Sequence, residues 1–307
     1  MVQVVEDQQK LDWPSNCKPK NVTIHCSCDG LVLILVSSRG LYKSSERLYE
    51  ELLLWNPSTR ESILLPHLEF RGVYYVCGMG YVATSKDYKI LAINLTADDS
   101  FNTSIELLSL KSGSWRRIGC PTGVQRVTGF EDCGMDYLAF VHGAFHWLGK
   151  LHSEYYTTVS FNISNKMYGE VPLLEQMYDL CMCYHFIDHG VSVLRGMLCF
   201  YSTYNYWAED KDCIFKLWVM KDYGVRESWT NFIKLRDTNL FHSMRPKYMF
   251  ADCQVLLHCK LLGCICSKFI TSRGPFRQLS PQCSCVTIKQ GIVYAESFIS
   301  PKSLTIM

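Results

Sequence analysis

The chain of 307 residues is long enough for one large all-β domain or two ordinary ones. Its 48% apolar and 20% charged residues are those of a globular protein with a substantial core, and a formal net charge of +2 supplies no field that would select nucleic acid or an acidic membrane surface. No stretch approaches the ~20 consecutive apolar residues of a membrane span, and the polar residues 1–10 lack the cationic-then-apolar pattern of a secretion signal.

Without such a signal, the 16 cysteines point to a reduced compartment, cytoplasmic or nuclear. The sequons at Asn21, Asn94, Asn102 and Asn162 are then chance matches. Residues 1–20, polar and carrying Pro14 and Pro19, read as a flexible lead-in. From 21 to 302 the chain is a series of short extended runs rich in Tyr, Val, Ile, Phe, Trp and Cys. Among them are 22–26, 31–36, 51–55, 62–65, 74–82, 88–95, 103–110, 156–163, 191–201, 213–220, 228–235, 247–258 and 291–296. The helix candidates are short, near 173–180 and 240–243, and no Pro/Gly/Ser linker divides the chain.

Within these runs, Asp29-Gly30 supplies a tight turn, because Gly30 accepts φ > 0 at no steric cost. Trp55 closes the run 52–55, and Asn56-Pro57-Ser58-Thr59 turns the chain, with Pro57 fixing φ. An aromatic residue recurs beside a two-strand unit at Trp55, Trp115, Phe161 and Trp218. The interval is about 45 to 60 residues, close to a four-stranded propeller blade. The expectation is one β-propeller-like domain over 21–302, of about six degenerate blades, with a paired β-sandwich as the competing architecture.

Chemistry-bearing patterns are weak. Four Cys-x-Cys pairs (Cys26/Cys28, Cys181/Cys183, Cys264/Cys266, Cys283/Cys285) place two thiols on one strand face, but small apolar thiols also suit β cores. His142/His146 and His185/His189 are i,i+4 pairs that could clamp a metal on a helix, but both fall in strand-and-turn context and no His-Glu-x-x-His run occurs. The acidic groups Glu131, Asp132 and Asp136, and Glu209, Asp210 and Asp212, sit in turn-rich segments. No nucleophile elbow or phosphate loop occurs. No catalytic, metal or cofactor-binding residue is therefore assigned. Gly30, Trp55, Asn56, Pro57, Trp115, Trp147, Trp218 and Trp229 read as structural positions. Binding is expected on the connections 39–50, 67–73, 96–102, 121–136, 149–155, 202–212 and 237–246. The densest aromatic cluster there, Tyr201, Tyr204, Tyr206 and Trp207, reads as a polar loop with interface-type anchors.

Taken together, several segments resemble one known family. They are Cys28-Asp29-Gly30-Leu31-Val32, Leu54-Trp55-Asn56-Pro57-Ser58-Thr59-Arg60-Glu61, Gly78-Met79-Gly80-Tyr81 and Asp87-Tyr88-Lys89-Ile90-Leu91. Further on come Ser112-Gly113-Ser114-Trp115-Arg116, Val141-His142-Gly143-Ala144-Phe145-His146-Trp147, and Leu217-Trp218-Val219-Met220-Lys221-Asp222-Tyr223-Gly224-Val225, closing with Tyr294-Ala295-Glu296-Ser297. In order and spacing they resemble the plant F-box-associated interaction domain, in F-box/kelch-repeat-like proteins. The resemblance implies a non-catalytic module that binds a client protein through loops, as the substrate-recognition half of a Skp–cullin–F-box ubiquitin ligase. Residues 1–23 carry no F-box pattern. The resemblance therefore implies contact with the Skp adaptor and cullin only if an F-box is supplied, and a decoy or scaffold as the alternative role. A propeller enzyme, with carboxylates converging on a central channel, is a further alternative.

Overall fold

Residues 31–34 and 52–54 are apolar at every position, a pattern that suits a strand only if both faces of its sheet are covered. The computed structural model shows how they are covered. It describes residues 21–37, 50–68, 75–94, 104–119, 124–127, 138–151, 156–177, 185–205, 213–237, 241–261, 267–272 and 291–305. Sheet A contains β1 (Asn21–Cys28), β2 (Leu31–Ser37), β3 (Glu50–Asn56) and β4 (Glu61–Leu64). Sheet B contains β5 (Tyr75–Val82), β6 (Asp87–Asn94), β7 (Ile105–Ser109) and β8 (Ser114–Ile118). Sheet C contains β9 (Val124–Val127), β10 (Ala139–Val141), β11 (Ala144–Leu151), β12 (Tyr156–Asn162) and β13 (Met167–Val171). Both β9 and β10 pair with β11, so they are two halves of one interrupted strand. Sheet D contains β14 (His185–Leu194), β15 (Met197–Asn205), β16 (Cys213–Met220) and β17 (Trp229–Asp237). Sheet E contains β18 (Phe241–Met249), β19 (Val255–Leu261) and β20 (Ser267–Thr271).

Every sheet is an antiparallel meander, and the first strands β1, β5, β10, β14 and β18 contact one another in series. Alternate side chains on each strand therefore serve two different neighbours. On β6, Tyr88, Ile90 and Ala92 join the core shared with sheet A, while Leu91 and Ile93 join the core shared with sheet C. Two further cores lie between sheets C and D and between D and E. Each fully buried Leu or Ile contributes about 1.5–3 kcal/mol, so stability is spread over four interfaces rather than one centre. Gly78 and Gly80 let sheet C approach β5: a Cβ on Gly78 would lie 2.7 Å from the Leu138 Cβ, and one on Gly80 2.5 Å from the Phe140 ring.

The all-β, propeller-like expectation is borne out, and the sandwich alternative falls away. The described residues form five sheets, where about six blades were expected. Sheet D runs from 185 to 237 with strands of eight to ten residues, which absorbs sequence that a uniform repeat would assign elsewhere. Several local readings are corrected. Residues 124–127 form β9 and 149–151 belong to β11, within segments expected as connections. Residues 202–205 belong to β15, and 241–246 belong to β18, where a helix and a loop were expected. Pro246 misleads there, because it sits at a bulge in the strand. Residues 291–296 form no ladder; the chain crosses sheet A as a strap that ends in a 3-10 turn, Pro301–Ser303. The helix expected near 173–180 is one turn at 175–177 in the described part.

In such a meander the first-to-second and third-to-fourth connections emerge at one end of every sheet. Contacts between sheets join like ends. The Tyr88 hydroxyl donates to Asp29 Oδ2 across A and B (2.9 Å), and Tyr223 meets His142 and His146 across D and C. Nine short hairpin turns thus share one face of the molecule.

Candidate interaction surface

Tyr201 and Tyr204 were expected in a loop, but they stand in β15 and are 2% and 1% exposed. Tyr201 belongs to the core between sheets D and E. The Tyr204 ring lies 5.5 Å from the Lys216 ammonium. Ser202 and Thr203, whose polarity suggested a loop, are themselves buried and paired in register with Lys216 and Phe215. This part of the expected cluster is wall, not surface. Tyr206 and Trp207 lie outside the described residues.

The positions read as structural are joints. Trp115 Nε1 of sheet B donates to the Pro66 carbonyl just after sheet A (2.9 Å), and Trp229 Nε1 of sheet D donates to the Pro172 carbonyl just after sheet C (3.0 Å). One device is thus used twice. Trp147 and Trp218 are buried with no partner for the indole nitrogen, as is the Nε1 atom of Trp55; these rings pack. Asn56 is fully buried. Its Oδ1 accepts from the Ser58 and Thr59 N–H groups, closing the turn at Pro57, while Nδ2 donates to the carbonyls of Ser297 (3.0 Å) and Ile299 (2.8 Å). The strap is held along its length: Ser27 Oγ donates to the Val293 carbonyl, and Lys302 pairs with Glu61 at 3.5 Å. Gly30 is the notch that admits it. A Cβ there would lie 2.3 Å from Ser297 Oγ, and φ is +80°. Two sequence motifs at opposite ends of the chain are one clasp.

The turn face has its own composition. The nine hairpin connections hold seven Lys or Arg residues and four Asp or Glu residues. Seven non-glycine residues have positive φ, and five of them are basic: Arg60, Lys86, His142, Lys166 and Arg195. Of the nine exposed large apolar side chains among the described residues, only Leu64 and Phe232 lie away from this face and its strap. Phe298 is 96% exposed, because its neighbours Ser297 and Ile299 face Asn56 and turn it outward.

Residues 2–273 match the family described as the F-box associated beta propeller domain. The chain belongs to that family. It is similar to F-box protein At3g07870 of Arabidopsis thaliana, with 27% identity over 222 residues, covering 64% of this chain and 49% of that protein. It is also similar to F-box protein CPR1 (27% over 234 residues, 68% and 54%) and to F-box/kelch-repeat protein At3g23880 (24% over 291 residues, 91% and 69%), both of Arabidopsis thaliana. The chain spans about half the length of the first two relatives.

In this F-box associated propeller, the histidines and cysteines read from sequence are largely internal. His146 Nδ1 faces the Ala139 carbonyl (3.3 Å), which can only accept, so Nδ1 carries the proton and Nε2 accepts from the Tyr223 hydroxyl (2.7 Å). Burial pushes the imidazole down to about 4, against the raising effect of the Ala139 bond, and keeps it neutral. His142 packs on the other side of Tyr223 at 4.5 Å, so an exposed tyrosine is fixed by the neighbouring sheet. His189 meets the Tyr156 ring edge-on. Burial, then the charge of Asp29, pushes the Cys28 thiol up to about 12, and burial does the same to Cys199. Both are packing thiols at neutral pH. Among the described residues no three His, Cys, Asp or Glu side chains could hold a metal. The other Cys-x-Cys pairs and both acidic groups lie outside the described residues. Among the described residues, no helix is long and apolar enough to cross a membrane. Tyr223 and the turn cations escaped sequence reading because no single turn is strongly charged; the signal available was Lys or Arg ending three of the four-residue turns, at Arg60, Lys86 and Lys166.

Proposed function

We propose that this chain is a non-catalytic protein-recognition module that holds a client for a ubiquitin ligase of the Skp–cullin–F-box type, in the cytoplasm or nucleus. The observation that carries the reading is the match of nearly the whole chain to an F-box associated propeller, in relatives named as F-box proteins. The scaffold supports it. Four apolar interfaces hold the sheets rigidly, and the surface connections between them are free to differ in sequence without disturbing a core. The Skp adaptor and cullin engage only when an F-box is joined to the module; alone, it acts as a decoy or scaffold. The test is paired affinity purification from plant cells under proteasome inhibition, using the tagged chain alone and the same chain fused behind an F-box. The expected result is one shared client in both samples, with adaptor and cullin only in the fusion and a shortened client half-life there. A fusion that recruits the adaptor but leaves every shared partner's half-life unchanged overturns the ligase reading.

A further inference from the structure

Left-handed backbone positions in hairpin turns ordinarily go to Gly, Asn or Asp, whose small or locally bonding side chains tolerate φ > 0. Here Asp29 follows the rule and its carboxylate has a job, accepting from the Tyr88 hydroxyl. Arg60, Lys86, Lys166 and Arg195 break it, and none of the four is ion-paired among the described residues. A local rule broken repeatedly, without a compensating contact, on a single face points to function rather than folding. Between these cations the same face exposes Tyr81, Tyr223, Tyr248 and Phe298, aromatic anchors of the kind that dominate protein interfaces, with Tyr223 held in place by His146.

We propose that the hairpin-turn face docks an acidic segment of a partner protein that also carries aromatic or apolar side chains. The cations supply charge complementarity around the rim, and the fixed rings supply apolar contact. Nucleic acid fits less well. The cations stand on separate turns rather than along a continuous track, and Asp222, Glu227 and Asp252 interrupt them on the same face.

The test uses the intact chain against a displayed library of random linear peptides, with the fourfold variant Arg60→Asn, Lys86→Asn, Lys166→Asn, Arg195→Asn. Selected peptides are expected to be enriched in Asp and Glu with an aromatic residue. Their affinity, read by fluorescence anisotropy, should fall about tenfold in the variant and with added salt. The variant should melt at the same temperature or higher, because Asn suits positive φ better than Lys or Arg. A second variant, Tyr81→Ser with Tyr248→Ser, should weaken the same peptides at unchanged charge. The proposal is overturned by peptides without acidic bias, by undiminished binding to the fourfold variant, or by loss of binding that tracks a lower melting temperature. Preferential capture of labelled oligothymidylate, lost in the variant, would reassign the face to nucleic acid. Failure of the ligase reading leaves this result untouched, since the assay contains only chain and probe.

Discussion

Sheet D packs on both neighbours through apolar cores, but only its joint to sheet E adds a buried ion pair among the described residues. Toward sheet C, Trp218 and Trp229 bury their rings among Leu148, Val171 and Leu173, and one indole N–H meets the Pro172 carbonyl. Toward sheet E, buried Asp188 on β14 accepts from Arg245 Nε (2.7 Å), Arg245 Nη2 (3.2 Å) and Ser243 Oγ (2.5 Å) on β18. An apolar joint loses stability in proportion to the contact removed. A buried ion pair loses more, because deleting one partner strands the charge of the other. The first joint is held by shape. The second adds to its apolar core a two-point grip that fixes how β14 stands against β18.

The contrast is most easily broken at the ion pair. Arg245→Ala should cost about 3–5 kcal/mol, read from the urea midpoint at constant m-value. Joint replacement by Asp188→Leu and Arg245→Met should recover most of that. If single and double variants unfold alike, the grip is not the source of the cost. Acid attacks the shape-held joint through His146, and the other joint through His258, which stands opposite Arg245 and which burial lowers to about 3. The folded-state value of about 4 for His146 lies below the ~6.5 of an unfolded histidine, so the unfolded chain binds more protons between them. Stability is therefore full above about pH 6.5 and falls as pH drops toward 4, by up to about 3 kcal/mol for this group. Buried His25, lowered to about 4 by desolvation, adds to the same limb. His146→Gln should flatten the stability-against-pH curve in that window, and an unchanged slope would remove His146 from the account.

A third test sharpens the comparison by adding a joint of neither kind. Gly30→Ala or Asn56→Ala should cost about 2–3 kcal/mol and should open residues 291–305 to protease before the sheets unfold. Cleavage that coincides with global unfolding would show the strap to be no separate element. The smallest effect separates two tryptophans within the shape-held joint. Trp229→Phe should cost about 1–2 kcal/mol, since the Pro172 carbonyl loses its donor. Trp218→Phe removes no bond and should cost less. Equal losses would mean that ring volume alone matters.

Much of this was legible in the chain. Strands such as β2, β3, β6 and β16 follow from unbroken apolar runs bounded by turn residues, and Asn56-Pro57 from its turn chemistry. What escaped depends on distance across the fold. Nothing local ties Asn56 to Ser297. An extended run at 291–296 looks like a strand whether or not a ladder awaits it. Tyr201-Ser202-Thr203-Tyr204 looks like a loop because its polar residues resemble turn chemistry, yet both faces of sheet D are covered there. The turn face was invisible for a different reason, since its charge is dispersed over separate turns and becomes a surface only when the meanders align.

The clasp has a consequence for biosynthesis. Asn56 and the carbonyls it grips are more than 240 positions apart, and ribosomes add about 5–20 residues per second. Sheet A therefore emerges tens of seconds, in order of magnitude, before the strap that covers it. Until the strap arrives, the Gly30 notch and the Asn56 amide face water. Of the described sheets, the first to be made is the last to be finished.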